Sequence, residues 1–124
     1  MGAACDYLSK IGMENVEAHE RKMSEKLLAA IKSVPGATVY GSQTAQGRSA
    51  LVSFNLKNVK HHQVALMCDS LSGIALRSGV FCAQPAMELL GAKEGAVRAS
   101  LYVYNTDKEM QVFGETLQKI AKIG

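Results

Sequence analysis

Tryptophan is absent from these 124 residues, and only four tyrosines and three phenylalanines supply aromatic surface. Little is available for stacking on bases, and the charges are scattered: 14 Lys and Arg against 11 Asp and Glu leave a net +3 with no basic stripe. No nucleic-acid partner is expected. No apolar run approaches the length of a membrane span, and the first residues lack a basic stretch leading into an apolar one. Neither a membrane nor a secretory route is expected. Cysteine is scarce too. Cys5, Cys68 and Cys82 are odd in number and widely spaced, with no Cys-x-x-Cys pair, which fits neither a disulfide framework nor a zinc site. The expectation is one soluble domain over residues 1–124, in a reducing cytoplasmic setting, with no metal.

What the sequence does hold is amphipathic periodicity. A helical pattern over residues 3 to 10 falters at Gly12 and resumes near Met13, where Met13, Val16, Met23, Leu27, Ile31 and Val34 share one stripe. Glu17, Glu20, Arg21, Glu25 and Lys26 are left for solvent, and His19 among them reads as a solvated residue. Val34-Pro35-Gly36 ends the helix, since proline disfavours helix in the residue before it and glycine supplies the left-handed conformation just after. Thr38-Val39-Tyr40 reads as a short strand and Gly41 to Gly47 as a polar turn. Ser49 to Leu56 then alternates, Ala50, Val52 and Phe54 on one face and Leu51, Ser53 and Asn55 on the other, giving an antiparallel hairpin. His61-His62 precedes a helix from Gln63 to Leu71 whose stripe of Val64, Met67, Cys68 and Leu71 places Cys68 in the core. Adjacent helical residues point about 100 degrees apart, so the histidine pair alone makes no metal site.

Gly73-Ile74-Ala75-Leu76 is a third strand candidate. Ala86 to Leu90 forms a short helix closed by Gly91, and Lys93-Glu94-Gly95 a further turn. Val97 to Tyr104 is the clearest strand, with Val97, Ala99, Leu101 and Val103 on an apolar face and Arg98, Ser100, Tyr102 and Tyr104 opposite. Thr106 and Glu109 match a capping box opening a helix to about Lys122, whose stripe is Met110, Phe113, Leu117 and Ile120. The order predicts an α+β two-layer sandwich: a small, mostly antiparallel sheet of about four strands with helices on its apolar face. The other face is left for function.

Between the punctuators Gly79 and Pro85 lies Val80-Phe81-Cys82-Ala83-Gln84, read as a loop that keeps Cys82 reachable. If it is exposed, a guanidinium such as Arg77 favours the nucleophilic thiolate. The competing reading makes Cys82 a small core hydrophobe.

The motifs Gly73-Ile74-Ala75-Leu76-Arg77-Ser78-Gly79, Cys82-Ala83-Gln84-Pro85, Val97-Arg98-Ala99-Ser100-Leu101 and Tyr104-Asn105-Thr106 together resemble the small C-terminal domain of SufS-like cysteine desulfurases and related selenocysteine lyases, in the class V aminotransferase branch of pyridoxal-phosphate enzymes. Ile11-Gly12-Met13 and His19-Glu20-Arg21 resemble the long helix entering that domain. The resemblance implies that Cys82 is the nucleophile that takes sulfur from a substrate cysteine as a persulfide, leaving alanine, and that Arg98 binds the substrate carboxylate. A guanidinium suits that task through two parallel hydrogen bonds. Arg77 and Ser78 would shape the nucleophile loop, with Arg77 also facing substrate; a surface arginine and a turn serine are the plain alternatives.

Many relatives carry two histidines where this chain has Val80-Phe81. The family's Schiff-base lysine, preceded by Ser-x-His, has no counterpart among the ten lysines here, and the phosphate-binding loop is missing. The expectation is a fragment or separately expressed domain that binds no pyridoxal phosphate tightly alone. It would need a large cofactor domain or full-length homodimer partner, and would pass sulfur to an acceptor protein for iron–sulfur cluster assembly. The alternative is a stand-alone, cofactor-free persulfide carrier or interaction module.

Overall fold

The computed structural model describes residues 1–124. Helices α1 (Gly2–Ile11) and α2 (Met13–Lys32) are separated at Gly12, whose φ of 87° breaks the helical path. Helix α1 buries no residue of its own. Strands β1 (Ala37–Tyr40) and β2 (Leu51–Leu56) form the hairpin, followed by α3 (His61–Ser72), β3 (Arg77–Gly79), α4 (Gln84–Leu89), β4 (Ala96–Ser100) and α5 (Asp107–Ile123). The strands lie in the order β1-β2-β4-β3, and every neighbouring pair is antiparallel. This is the α+β two-layer arrangement that the periodicity predicts.

Strand alternation decides what faces the helices. Val52, Phe54 and Leu56 of β2 with Val97 and Ala99 of β4 enter one core, where they meet Leu27 and Ile31 of α2, Val64 and Cys68 of α3, and Phe113, Leu117 and Ile120 of α5. Each large apolar side chain fully buried there contributes about 1.5–3 kcal/mol. Phe54 and Phe113 meet edge to face, centroids 6.2 Å apart at 80°. Gly114 of α5 faces Ala30 of α2, where a Cβ would sit in ordinary van der Waals contact at 3.5 Å from the Ala30 Cβ. Residues between the buried ones, Ser53 and Asn55 on β2 and Arg98 on β4, project to the face away from the long helices, part of which a small cluster of Met87, Ala92 and Ala96 covers.

Several expectations are corrected. Gly73 to Leu76 is not a strand: Gly73 takes φ 64° and caps α3, its N–H donating to the Asp69 carbonyl, and the strand begins only at Arg77. The long strand from Val97 stops at Ser100: past the Leu51–Ser100 pair a single bond continues, from the Leu101 N–H to the Ala50 carbonyl at 2.8 Å, and the chain then turns. Residues 102–105 turn instead, with the Asn105 side chain accepting from the Tyr102 N–H at 2.8 Å. Met13 is exposed, because α1 ends beside it and no layer covers it. His19 is not a freely solvated residue; its Nε2 donates to the Asn105 carbonyl at 3.1 Å. The pair His61-His62 lies inside the first turn of α3 rather than before it, and Gln84 is the first residue of α4, not part of the loop.

Candidate functional site

The face away from the long helices is built from register. Ser53 stands opposite Arg98, and Arg98 stands opposite Arg77, so one row crosses β2, β4 and β3. Directly opposed residues on an antiparallel pair share a face and approach closely, which places two cations and a hydroxyl in one lateral line. Arg98 is half-buried and its Nε is buried without a hydrogen-bond partner. A buried guanidinium donor left without a partner is costly. Arg77 is exposed at the sheet edge.

The nucleophile candidate sits on a strained turn. Phe81 and Cys82 both adopt left-handed backbone, φ 57° and 55°, a conformation that costs an L residue about 1–2 kcal/mol. The turn is closed by the Ala83 N–H donating to the Val80 carbonyl at 2.9 Å, and α4 follows with Pro85 in its first turn, where its missing N–H is harmless. Cys82 is exposed while Cys68 is fully buried, so the two sulfurs differ as the sequence implies. Burial pushes the Cys68 thiol up to about 11. The Cys82 turn reaches the cation row through its neighbour: the Arg98 guanidinium carbon lies over the Phe81 ring, 5.2 Å from its centroid.

Sequence reasoning passed over three neighbours. Asn55 donates through Nδ2 to the Tyr40 hydroxyl at 3.1 Å and to the Gly95 carbonyl at 3.0 Å, leaving its buried Oδ1 without a partner. His62 Nδ1 meets the Ser78 hydroxyl at 2.8 Å, and His61 Nε2 donates to the Glu94 carbonyl at 2.9 Å. Their rings are 4.2 Å apart. The signal for Asn55 was present in the alternation that sends Ser53 and Asn55 away from the core. The histidines gave no such signal, because their partners are 33 and 16 residues away.

An open cleft of about 580 Å³ runs past Asn55, Lys60, His61, His62 and Glu94. A smaller cavity of about 190 Å³ lies among Leu27, Leu76, Leu101 and Phe113, on the helical side and away from the cation row. The pyridoxal phosphate implied by the resemblance requires an amine near the carboxylate grip. None of the ten lysines stands on β1 to β4 or on the turn over residues 80–83. Lys22 and Lys26 are held by Asp107 on the helical layer, and Lys32 by the Gln43 carbonyl. These residues alone do not fit that group.

Comparison with known proteins follows this geometry. A family model described as aminotransferase class-V matches residues 1–113. A probable cysteine desulfurase of Methanothermobacter thermautotrophicus is 43% identical over 100% of this chain, and one of Synechocystis is 42% identical over 95% of it. The chain spans only 31% and 28% of those relatives' lengths. The apo structure of a cysteine desulfurase from Thermococcus onnurineus superposes with a TM-score of 0.89 at 32% identity, covering 96% of this chain and 29% of that one. The cysteine desulfurase CsdA of Escherichia coli, in an S-sulfonic acid form, gives 0.84 at 26% identity, covering 98% and 29%. With a family match over most of its residues and a sheet and helix order shared with solved relatives, the chain belongs to the aminotransferase class-V family.

Proposed function

We propose that this chain supplies the sulfur-accepting and carboxylate-gripping part of a cysteine desulfurase, with Cys82 as the nucleophile, Arg98 as the residue that holds the substrate carboxylate, and Arg77 beside it. The observation that carries this reading is the contact between Arg98 and Phe81, which sets a half-buried guanidinium one residue from an exposed thiol. A cysteine or selenocysteine substrate offers both groups such a site needs: a carboxylate for the arginine fork and a chalcogen for the thiolate. Sulfur would leave on Cys82 as a persulfide for an acceptor protein that supplies iron–sulfur cluster assembly. Pyridoxal phosphate and its lysine would come from a large domain outside these 124 residues, in a full-length homodimer of the cytoplasm. Alone, the chain would not release alanine.

The experiment joins this chain to the remaining, cofactor-carrying part of the Methanothermobacter relative and measures alanine release from L-cysteine. Release that is lost in Cys82→Ser, and that shows a raised KM in Arg98→Lys, is the expected result. Equal release by Cys82→Ser overturns the assignment, and alanine release by the unjoined chain with pyridoxal phosphate overturns its dependence on a second domain. The exposure of Cys82 also supports a second reading, a cofactor-free persulfide carrier. Under it, the unjoined chain takes sulfur onto Cys82 from a low-molecular-weight persulfide and passes it to a thiol acceptor.

A further inference from the structure

The ring of Phe81 has two environments. On one side it joins a small apolar cluster of Met87, Ala92 and Ala96, separate from the main core. On the other, the Arg98 guanidinium carbon lies 5.2 Å from its centroid. We propose that Phe81 is a positioning residue: a fixed aromatic platform that orients the Arg98 fork and ties the Cys82 turn to it.

Three observations converge on this role. First, an aromatic face attracts a guanidinium electrostatically, and that attraction uses the ring face while leaving the edge N–H groups free to grip a carboxylate in their own plane. Second, little else holds the Arg98 side chain: its Nε is buried without a partner, and the residues across from it are Ser53 and, of the same charge, Arg77. Third, Phe81 and Cys82 are consecutive left-handed residues, and such a backbone persists only where surrounding contacts enforce it. Asparagine or glycine is the usual occupant of such a position. A phenylalanine there is explained by what its ring does. The apolar cluster anchors the ring, the ring holds the guanidinium, and the same backbone turn projects the sulfur outward.

This rests on the carboxylate reading of Arg98 only for its ligand half, so two measurements separate the parts. Without ligand, the Ala83 amide, whose bond to the Val80 carbonyl closes the turn, reports the tie through its hydrogen-exchange rate. Phe81→Leu and Arg98→Met are each expected to raise that rate about two- to fivefold, the range of an exposed cation–aromatic contact. The double variant should exchange no faster than the faster single one, and Phe81→Tyr should match the parent. Multiplying factors in the double variant, unchanged rates in both singles, or a Phe81→Tyr that behaves as Phe81→Leu overturn the proposal.

With L-alanine as the probe, the Arg98 Nε–H resonance is followed by NMR. The apparent Kd should weaken about two- to fivefold in Phe81→Leu and recover in Phe81→Tyr. An unchanged Kd in Phe81→Leu removes the platform role. If L-alanine leaves Arg98 untouched in the parent while the exchange cycle holds, the carboxylate reading falls and the tie between Phe81, Arg98 and the turn stands.

Discussion

Arg77 and Arg98 face each other directly across β3 and β4. Like charges directly opposed on an antiparallel pair destabilise it, by up to about 1 kcal/mol, and less when exposed and screened. A sheet built for stability alone would not place them so. The arrangement makes sense where an anion completes the row, as the proposed carboxylate does. Arg77→Thr is therefore expected to raise the midpoint of thermal unfolding at low salt, with a gain that shrinks as salt is added. The same variant should bind L-alanine less well. A lower midpoint in Arg77→Thr shows that the opposed cations are not in conflict.

The three cysteines should separate by reactivity. Cys5 and Cys82 are exposed and Cys68 is buried, so an alkylating reagent at neutral pH should modify the first two in the folded chain and the third only on unfolding. Mass mapping of the peptides checks this. Because burial raises the Cys68 thiol from 9.0 to about 11, the unfolded chain loses that proton at a lower pH than the folded one. Its contribution to stability is complete below pH 9 and declines as pH rises toward 11. Cys68→Ala should flatten that part of a stability profile.

Gly95 closes the space between β3 and α3. Its φ is 115°, and a Cβ built there would lie 2.8 Å from His61 Nε2 and 3.0 Å from the Gly79 carbonyl carbon. Gly95→Ala thus adds both backbone strain and a clash with backbone. A loss of about 2 kcal/mol or more is expected, together with displacement of β3 and the Cys82 turn. Denaturant unfolding measures the first. Faster hydrogen exchange at the Ser78 and Gly79 amides measures the second.

The start of α5 is an acid-sensitive joint. Thr106 and Glu109 form a reciprocal cap, the Thr106 N–H donating to Glu109 Oε2 at 2.7 Å and the Glu109 N–H to the Thr106 hydroxyl at 3.4 Å. The hydrogen bond from the Thr106 backbone, followed by those from the Asn105 and Thr106 side chains, holds the Glu109 carboxyl below its ordinary 4.5. The Lys26 ammonium at 2.6 Å, aided by Lys22, holds Asp107 below 3.8. Both folded values are depressed, so their stabilisation is present above the ordinary values and is lost as pH falls through the folded ones. The thermal midpoint should be level near neutral pH and drop below about pH 4. Thr106→Ala should cost about 1 kcal/mol, and Glu109→Gln should remove part of the acid slope.

Local patterns announced most of this molecule. The stripe of Leu27 and Ile31, the alternation of Val52 and Phe54, and the cap at Thr106 are each written in neighbouring residues, and each appears where the pattern placed it. What failed depended on distant partners. Gly73 to Leu76 is apolar enough for a strand, but pairing with β4 begins at Arg77, and only the position of β4 decides that. Val97 to Tyr104 alternates throughout, yet pairing with the chain before β2 ends at the Leu101–Ala50 bond. Cys82 was legible through its flanking glycine and proline. The ring beside it was not, because the link from Phe81 to Arg98 crosses 17 positions of sequence and no period encodes it.

The rims of the sheet are brief: β3 contributes three residues and β1 four. An unpaired strand margin is a template on which other chains can zip, and its danger grows with length and flatness. Here the margin beside the Cys82 turn is too short to seed a ladder, and it opens with a cation, Arg77. A chain that leaves a thiol in the open is thereby guarded against recruiting its own copies through the same border.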